Sequence, residues 1–248
     1  MTKTEKLNLA IKFFNKNFAL ILLIIAIFVL VISISSSWIK TNQQKANSKT
    51  SNNQAQNTKP QEKPENVPPI TELDHLLGAE NPKVTIVNYS DFNCSFCARF
   101  SSTLQKLVEN YPNDVAIVYR NFLLGGVSSV SGQAAKISEC IALDRGNEAY
   151  WQYNTEIFTQ ANANTRLTTK DEYIELAIKQ GFDRAQLKSC MDTQEITQIL
   201  NDQMAGAKAV GVLGTPASVL ISSKGQYEFI AGALPYESLE KVVLEYLD

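Results

Sequence analysis

At 248 residues the chain is long enough for one sizeable domain or two small ones, and its formal charge of −2 hides an uneven distribution. Residues 69–248 carry 14 Lys and Arg against 22 Asp and Glu, a dispersed net of −8, which argues against a nucleic-acid partner. One histidine and four cysteines, only two of them close together, fall short of the two close ligand pairs that a structural zinc site uses, so no metal and no cofactor are expected.

Residues 1–17 form a polar lead with four lysines, and residues 18–38 are almost wholly apolar until a run of serines. With its flanks this segment approaches the roughly 20 residues that span a bilayer. We read it as an uncleaved single-pass membrane anchor behind a cytoplasmic 1–17. The alternative is a cleaved signal peptide, whose apolar region is about 7 to 15 residues. Lys3, Lys6, Lys12 and Lys16 before the span and Lys40, Lys45 and Lys49 after it give only a small positive-inside bias, so orientation rests on the cysteine chemistry. Residues 39–68, rich in Asn, Gln, Lys, Ser and Pro, cannot bury enough apolar surface to repay ordering entropy. They are expected to be a disordered linker, leaving 69–248 as the folded domain.

Within that domain, Val84-Thr85-Ile86-Val87-Asn88-Tyr89 is short and β-branched, as a buried strand is, while Phe96, Phe100, Leu104, Leu107 and Tyr111 recur at helical spacing. Between them lies Cys94-Ser95-Phe96-Cys97. Cys94 therefore falls at a helix N-terminus, where unpaired N–H groups and the helix dipole favour a thiolate. Cys97, one turn further in, is placed to resolve a mixed disulfide. Ala98 follows the second cysteine where haem attachment would need His. Redox exchange is the favoured use of the pair over a metal site or a purely structural bridge.

Residues 114–119 read as the next strand, completing a strand-helix-strand unit and a parallel pair. From about 127 to 210 the signals are helical, with a Thr169/Glu172 capping box, a stop at Gly181 and a new start at Asp183 with Gln186. Residues 217–221 and 226–230 suggest a hairpin, and Pro235 opens a last helix whose Leu239, Val242, Val243, Tyr246 and Leu247 share a face. Tyr150, Trp151 and Tyr153 suit the core of the helical block better than a substrate surface. His75 has no visible partner and reads as a surface or packing residue.

An order of βαβ, helical block and ββα around a C-x-x-C resembles the DsbA-like thiol-disulfide oxidoreductases of the thioredoxin superfamily. The likeness runs from Leu77 to the end of the chain through the cysteine motif, Tyr119-Arg120-Asn121-Phe122, Cys140, Trp151 with Phe158, and Gly211-Val212-Leu213-Gly214-Thr215-Pro216-Ala217. It implies an α/β thioredoxin-like fold with an inserted helical subdomain, here preceded by a transmembrane helix and linker. It assigns Cys94 as nucleophile, Cys97 as resolving cysteine, and Thr215 with Pro216 as a cis-proline loop that pairs with substrate backbone. Asp91 could assist proton transfer, or simply satisfy nearby backbone N–H groups at the strand end. Cys140 and Cys190 could be ordinary buried thiols; in an extracytoplasmic domain they would form a structural disulfide, as in some relatives with two.

The function so implied is disulfide formation in cysteine-containing secreted or surface proteins, and the membrane anchor would hold the domain outside the cytoplasm, in the periplasm or extracellular space. A membrane quinone-linked thiol oxidase would reoxidise the site, and a monomer is the default. Two alternatives stand beside it: reduction or isomerisation at the same cysteines, and a tethered peptide-binding module without catalysis. Ser95 and Phe96 bring no positive charge between the cysteines, so an oxidant of intermediate strength is expected.

Overall fold

The computed structural model describes residues 61–62 and 67–247. The lead at 1–17, the span at 18–38 and most of the linker lie outside them. Among the described residues no helix is long and apolar enough to cross a membrane. In chain order the elements are β1 (Gln61–Glu62), β2 (His75–Gly78), β3 (Val84–Ser90), α1 (Ser95–Asn110), β4 (Val115–Asn121), α2 (Val130–Asn162), α3 (Lys170–Lys179), α4 (Arg184–Met191), α5 (Gln194–Ala209), β5 (Ala217–Ser222), β6 (Gln226–Ala231) and α6 (Tyr236–Leu247). This is the expected thioredoxin-like α/β order, with the helical block α2 to α5 inserted between β4 and β5.

The strands form one sheet in the order β1-β6-β5-β3-β4-β2, with β3 and β4 parallel and every other pair antiparallel. All seven residues of β3 and all seven of β4 are buried, which explains their near-continuous apolar sequence: both faces are covered. Val84, Ile86, Ile117 and Tyr119 look into the core made with α1, α2 and α6, while Val87, Tyr89 and Val118 meet Ala207, Val212 and Val219 on the other side. α2 bends at Gly146, whose φ of 79° is open to glycine at no steric cost. Cys140 in α2 is bonded to Cys190 in α4, so a covalent tie joins two helices of the insertion.

Three features depart from the sequence reading. β2 was not foreseen, because four residues carry too little alternation; its order comes from pairing with β4, His75 lying opposite Tyr119. His75 has a partner after all. It is buried 2.8 Å from Glu139 and stacked on Tyr150 at 3.5 Å between centroids. Finally, Gln61 and Glu62, assigned to the disordered linker, pair with Tyr227 and Gln226, and Val67 is buried, so order begins ahead of residue 69. Backbone pairing along a free strand edge needs no apolar side chain, which is why composition could not reveal it.

Candidate active site

β3 ends at Ser90 and the chain turns through Asp91, Phe92 and Asn93 into α1, whose N-cap is Cys94. The turn is held from within. The buried Asp91 carboxylate accepts the Asn93 N–H at 2.7 Å, the Leu124 N–H at 2.9 Å and the Ser131 hydroxyl at 3.0 Å. Both oxygens are thus engaged in anchoring three segments to one another. The helical insertion grips the next residue: Tyr173 donates its hydroxyl to Asn93 Oδ1 at 2.7 Å, and Arg166 donates to the Asn93 carbonyl. These two residues escaped the sequence reading, since nothing local links them to position 93.

The Cys94 sulfur accepts the Cys97 N–H at 3.4 Å and stands 3.4 Å from the Thr215 carbonyl oxygen, to which the thiol donates. The Thr215–Pro216 peptide is cis, and it leads directly into β5. Cys94 is partly exposed and Cys97 buried; both are free thiols. The structure therefore brings Cys94, Cys97, Asp91, Thr215 and Pro216 into one neighbourhood and places the Cys140–Cys190 pair in the helical insertion.

Their environments push the two thiols apart. The Cys97 S–H, donated to the Cys94 sulfur, is the main cause that holds Cys94 down at about 5 against an ordinary 9.0; Thr215 and the backbone N–H groups of Cys97 and Phe96 add to it, against the opposing effect of burial. Burial pushes Cys97 far above the thiol range, and its bond to Cys94 raises it further, with Ser90, Thr215 and the Asp91 backbone pulling only partly back. Cys94, partly exposed, is thus the sulfur that gives up its proton readily, and Cys97, buried, is the one that keeps it. That is the division of labour thiol-disulfide exchange requires, because the thiolate is the attacking species. Among the described residues no group of three or more His, Cys, Asp or Glu side chains is arranged to hold a metal ion.

A family model described as Thioredoxin matches residues 71–243. Among solved structures, the chain is similar to a periplasmic thioredoxin-like protein from Salmonella enterica serovar Typhimurium, with 28% identity, a TM-score of 0.56, and coverage of 71% of this chain and 91% of that one. A thioredoxin-like oxidoreductase from Silicibacter pomeroyi matches at 25% identity and a TM-score of 0.58, over 71% of this chain and 92% of the other. DsbA2 of Pseudomonas aeruginosa, at 24% identity, shares the fold with a TM-score of 0.57 over 68% of this chain and 92% of its own. A curated relative by sequence, Na(+)/H(+) antiporter NhaA 1 of Mycolicibacterium gilvum, is 27% identical over 147 residues, 58% of this chain. The chain spans 23% of that protein's length.

Proposed function

The chain belongs to the thioredoxin family and has the fold of its DsbA-like thiol-disulfide oxidoreductases, and from that premise we propose that it forms disulfides in secreted or surface proteins from a membrane-anchored position outside the cytoplasm. The observation that carries the reading is the contrast between Cys94, a partly exposed thiolate former, and Cys97, a buried thiol behind it. A thiolate as stable as Cys94 makes the reduced site the resting product, so the oxidised pair is readily opened by substrate thiols.

In the forward direction a substrate thiolate attacks Cys94 of the Cys94–Cys97 disulfide, and Cys97 departs. A second substrate thiol resolves the mixed disulfide and leaves the enzyme reduced. A membrane quinone-linked thiol oxidase would restore the disulfide. The cis Thr215–Pro216 turn beside Cys94 suits pairing with an extended chain, in the manner of strand addition. Large apolar side chains stand exposed on the segments that build the site: Phe96 is 57% exposed, Leu124 60% and Leu213 96%. Such surface fits unfolded polypeptide, whose apolar residues are not yet buried.

The deciding experiment incubates the full-length chain, oxidised, with a reduced two-cysteine peptide. Stoichiometric peptide oxidation that is lost in Cys94→Ala is expected. An absence of exchange would leave a peptide-binding module, and a reduction potential at or below about −270 mV would point to a reductase instead. Retention in the membrane fraction after alkaline extraction tests the anchor.

A further inference from the structure

Two hydroxyls near the buried cysteine stand without a partner. Ser90 ends β3, and Tyr119 lies in the parallel strand β4 opposite Asn88, so that Ser90 follows two residues later on the same face of β3 as Asn88. The residues on that face include Ile86, and they share one core with Phe92, Cys97 and Tyr119. Ser90 is 1% exposed and Tyr119 2%, yet neither side-chain oxygen has a hydrogen-bond partner among the described residues. Buried donors are nearly always paired, so a pair left open beside a reacting sulfur calls for a state in which it is used. Burial drives up both the Cys97 thiol and the Tyr119 phenol, and the nearby Ser90 hydroxyl draws both back, so Ser90 lies within reach of each while meeting hydrogen-bond geometry with neither.

We propose that Ser90, backed by Tyr119, is a hydrogen-bond donor held in reserve for the Cys97 thiolate that is released when the Cys94–Cys97 disulfide opens. This rests on the exchange reading above. As the incoming thiolate bonds to the Cys94 sulfur, the sulfur–sulfur bond breaks and its electron pair stays on Cys97, inside the core. A bare thiolate there would be strongly disfavoured. Ser90 turns its O–H onto it, and Tyr119 donates in turn to the Ser90 oxygen. The second substrate thiol then surrenders its proton to Cys97 and, as a thiolate, resolves the mixed disulfide, expelling Cys94 as a thiolate. Cys97 is again a thiol that donates to Cys94, and Ser90 is released. Ser90 thus acts on a reacting atom, and Tyr119 is a positioning residue.

The test is the rate at which dithiothreitol opens the oxidised site of the full-length chain. A hydrogen bond that becomes charge-assisted only in the transition state, Cys97 being uncharged in both the disulfide and the reduced thiol, predicts that Ser90→Ala slows opening about ten- to a hundredfold. The reverse rate should fall equally, so the reduction potential stays that of the wild type, and the Cys94 titration stays at about 5. Ser90→Thr should restore the rate. Tyr119→Phe, which keeps the ring stacked on Phe92, should slow opening several-fold and provides the measurement if Ser90→Ala does not fold. Opening within twofold of wild type in the folded variants overturns the proposal, and so does a slowed rate accompanied by a shifted potential, since that marks a structural effect. Because dithiothreitol replaces the natural substrate, a wild type that oxidises no peptide but retains this Ser90 dependence would overturn the exchange reading alone.

Discussion

Cys94 and Thr215, 121 residues apart in the chain, meet where the Cys94 thiol donates to the Thr215 carbonyl oxygen at 3.4 Å. The start of α1 and the turn into β5 thereby meet, with the Cys94 sulfur set against the backbone of the cis Thr215–Pro216 turn.

The Cys94 thiolate leans chiefly on its own partner. Cys97→Ala removes the S–H that does most to hold Cys94 at about 5, so its titration should move up toward 9.0. Cys97→Ser keeps an O–H donor and should lie between, while accumulating mixed disulfides because the internal resolving sulfur is gone. The pH dependence of iodoacetamide alkylation reads these values directly. An unchanged midpoint in Cys97→Ala would contradict the assignment.

The same ionisation makes stability of the reduced protein depend on pH. Cys94 titrates lower in the folded state than its ordinary 9.0, so the thiolate contributes stability that is complete above about 9 and is lost as pH falls through about 5. Partial exposure screens the gain, and only its direction is predicted. The difference in urea midpoint between reduced wild type and Cys94→Ala should grow from pH 5 to pH 9. Oxidised protein, with no thiol to ionise at this site, should show no such trend.

Asp91 can be separated into anchor and proton carrier. Asp91→Ala strips acceptors from two backbone N–H groups and one hydroxyl, and should destabilise the fold by about 2 to 4 kcal/mol in denaturant titrations. Asp91→Asn retains an acceptor oxygen and should cost less. If the carboxylate only anchors, the pH profile of exchange in Asp91→Asn will superpose on the wild type; a displaced profile would reveal proton transfer.

The Cys140–Cys190 bond closes a separation of 50 residues and ties α2 to α4. Chain entropy puts such a link at about 4 kcal/mol, with engineered cases delivering less. Replacing both cysteines by Ala should lower unfolding free energy by about 2 to 4 kcal/mol. A double variant as stable as the wild type would mean that the helical insertion holds its shape by packing alone.

Much of this protein was legible in one dimension because the forces concerned act over a few residues. The start of α1 at Cys94, the capping box of Thr169 and Glu172, the Asp183 cap and the apolar face of Leu239, Val243 and Tyr246 each depend on neighbours three or four positions away, and each is found in the fold. The covered strands β3 and β4 could be read from their short, β-branched, largely apolar runs. What the sequence alone left open is which distant groups come within about 3 Å of one another. Nothing local tells His75 that Glu139 awaits it, or that Asn93 is gripped by Arg166 and Tyr173. Likewise the place of the motif at a strand-helix junction already told Cys94 at the helix start from Cys97 one turn in, but only the tertiary structure sets their surroundings: it leaves Cys94 partly exposed against the Thr215 carbonyl and buries Cys97 near the hydroxyls of Ser90 and Tyr119. Desolvation and hydrogen bonding set a thiol's charge, and both are properties of the packed surroundings rather than of sequence spacing.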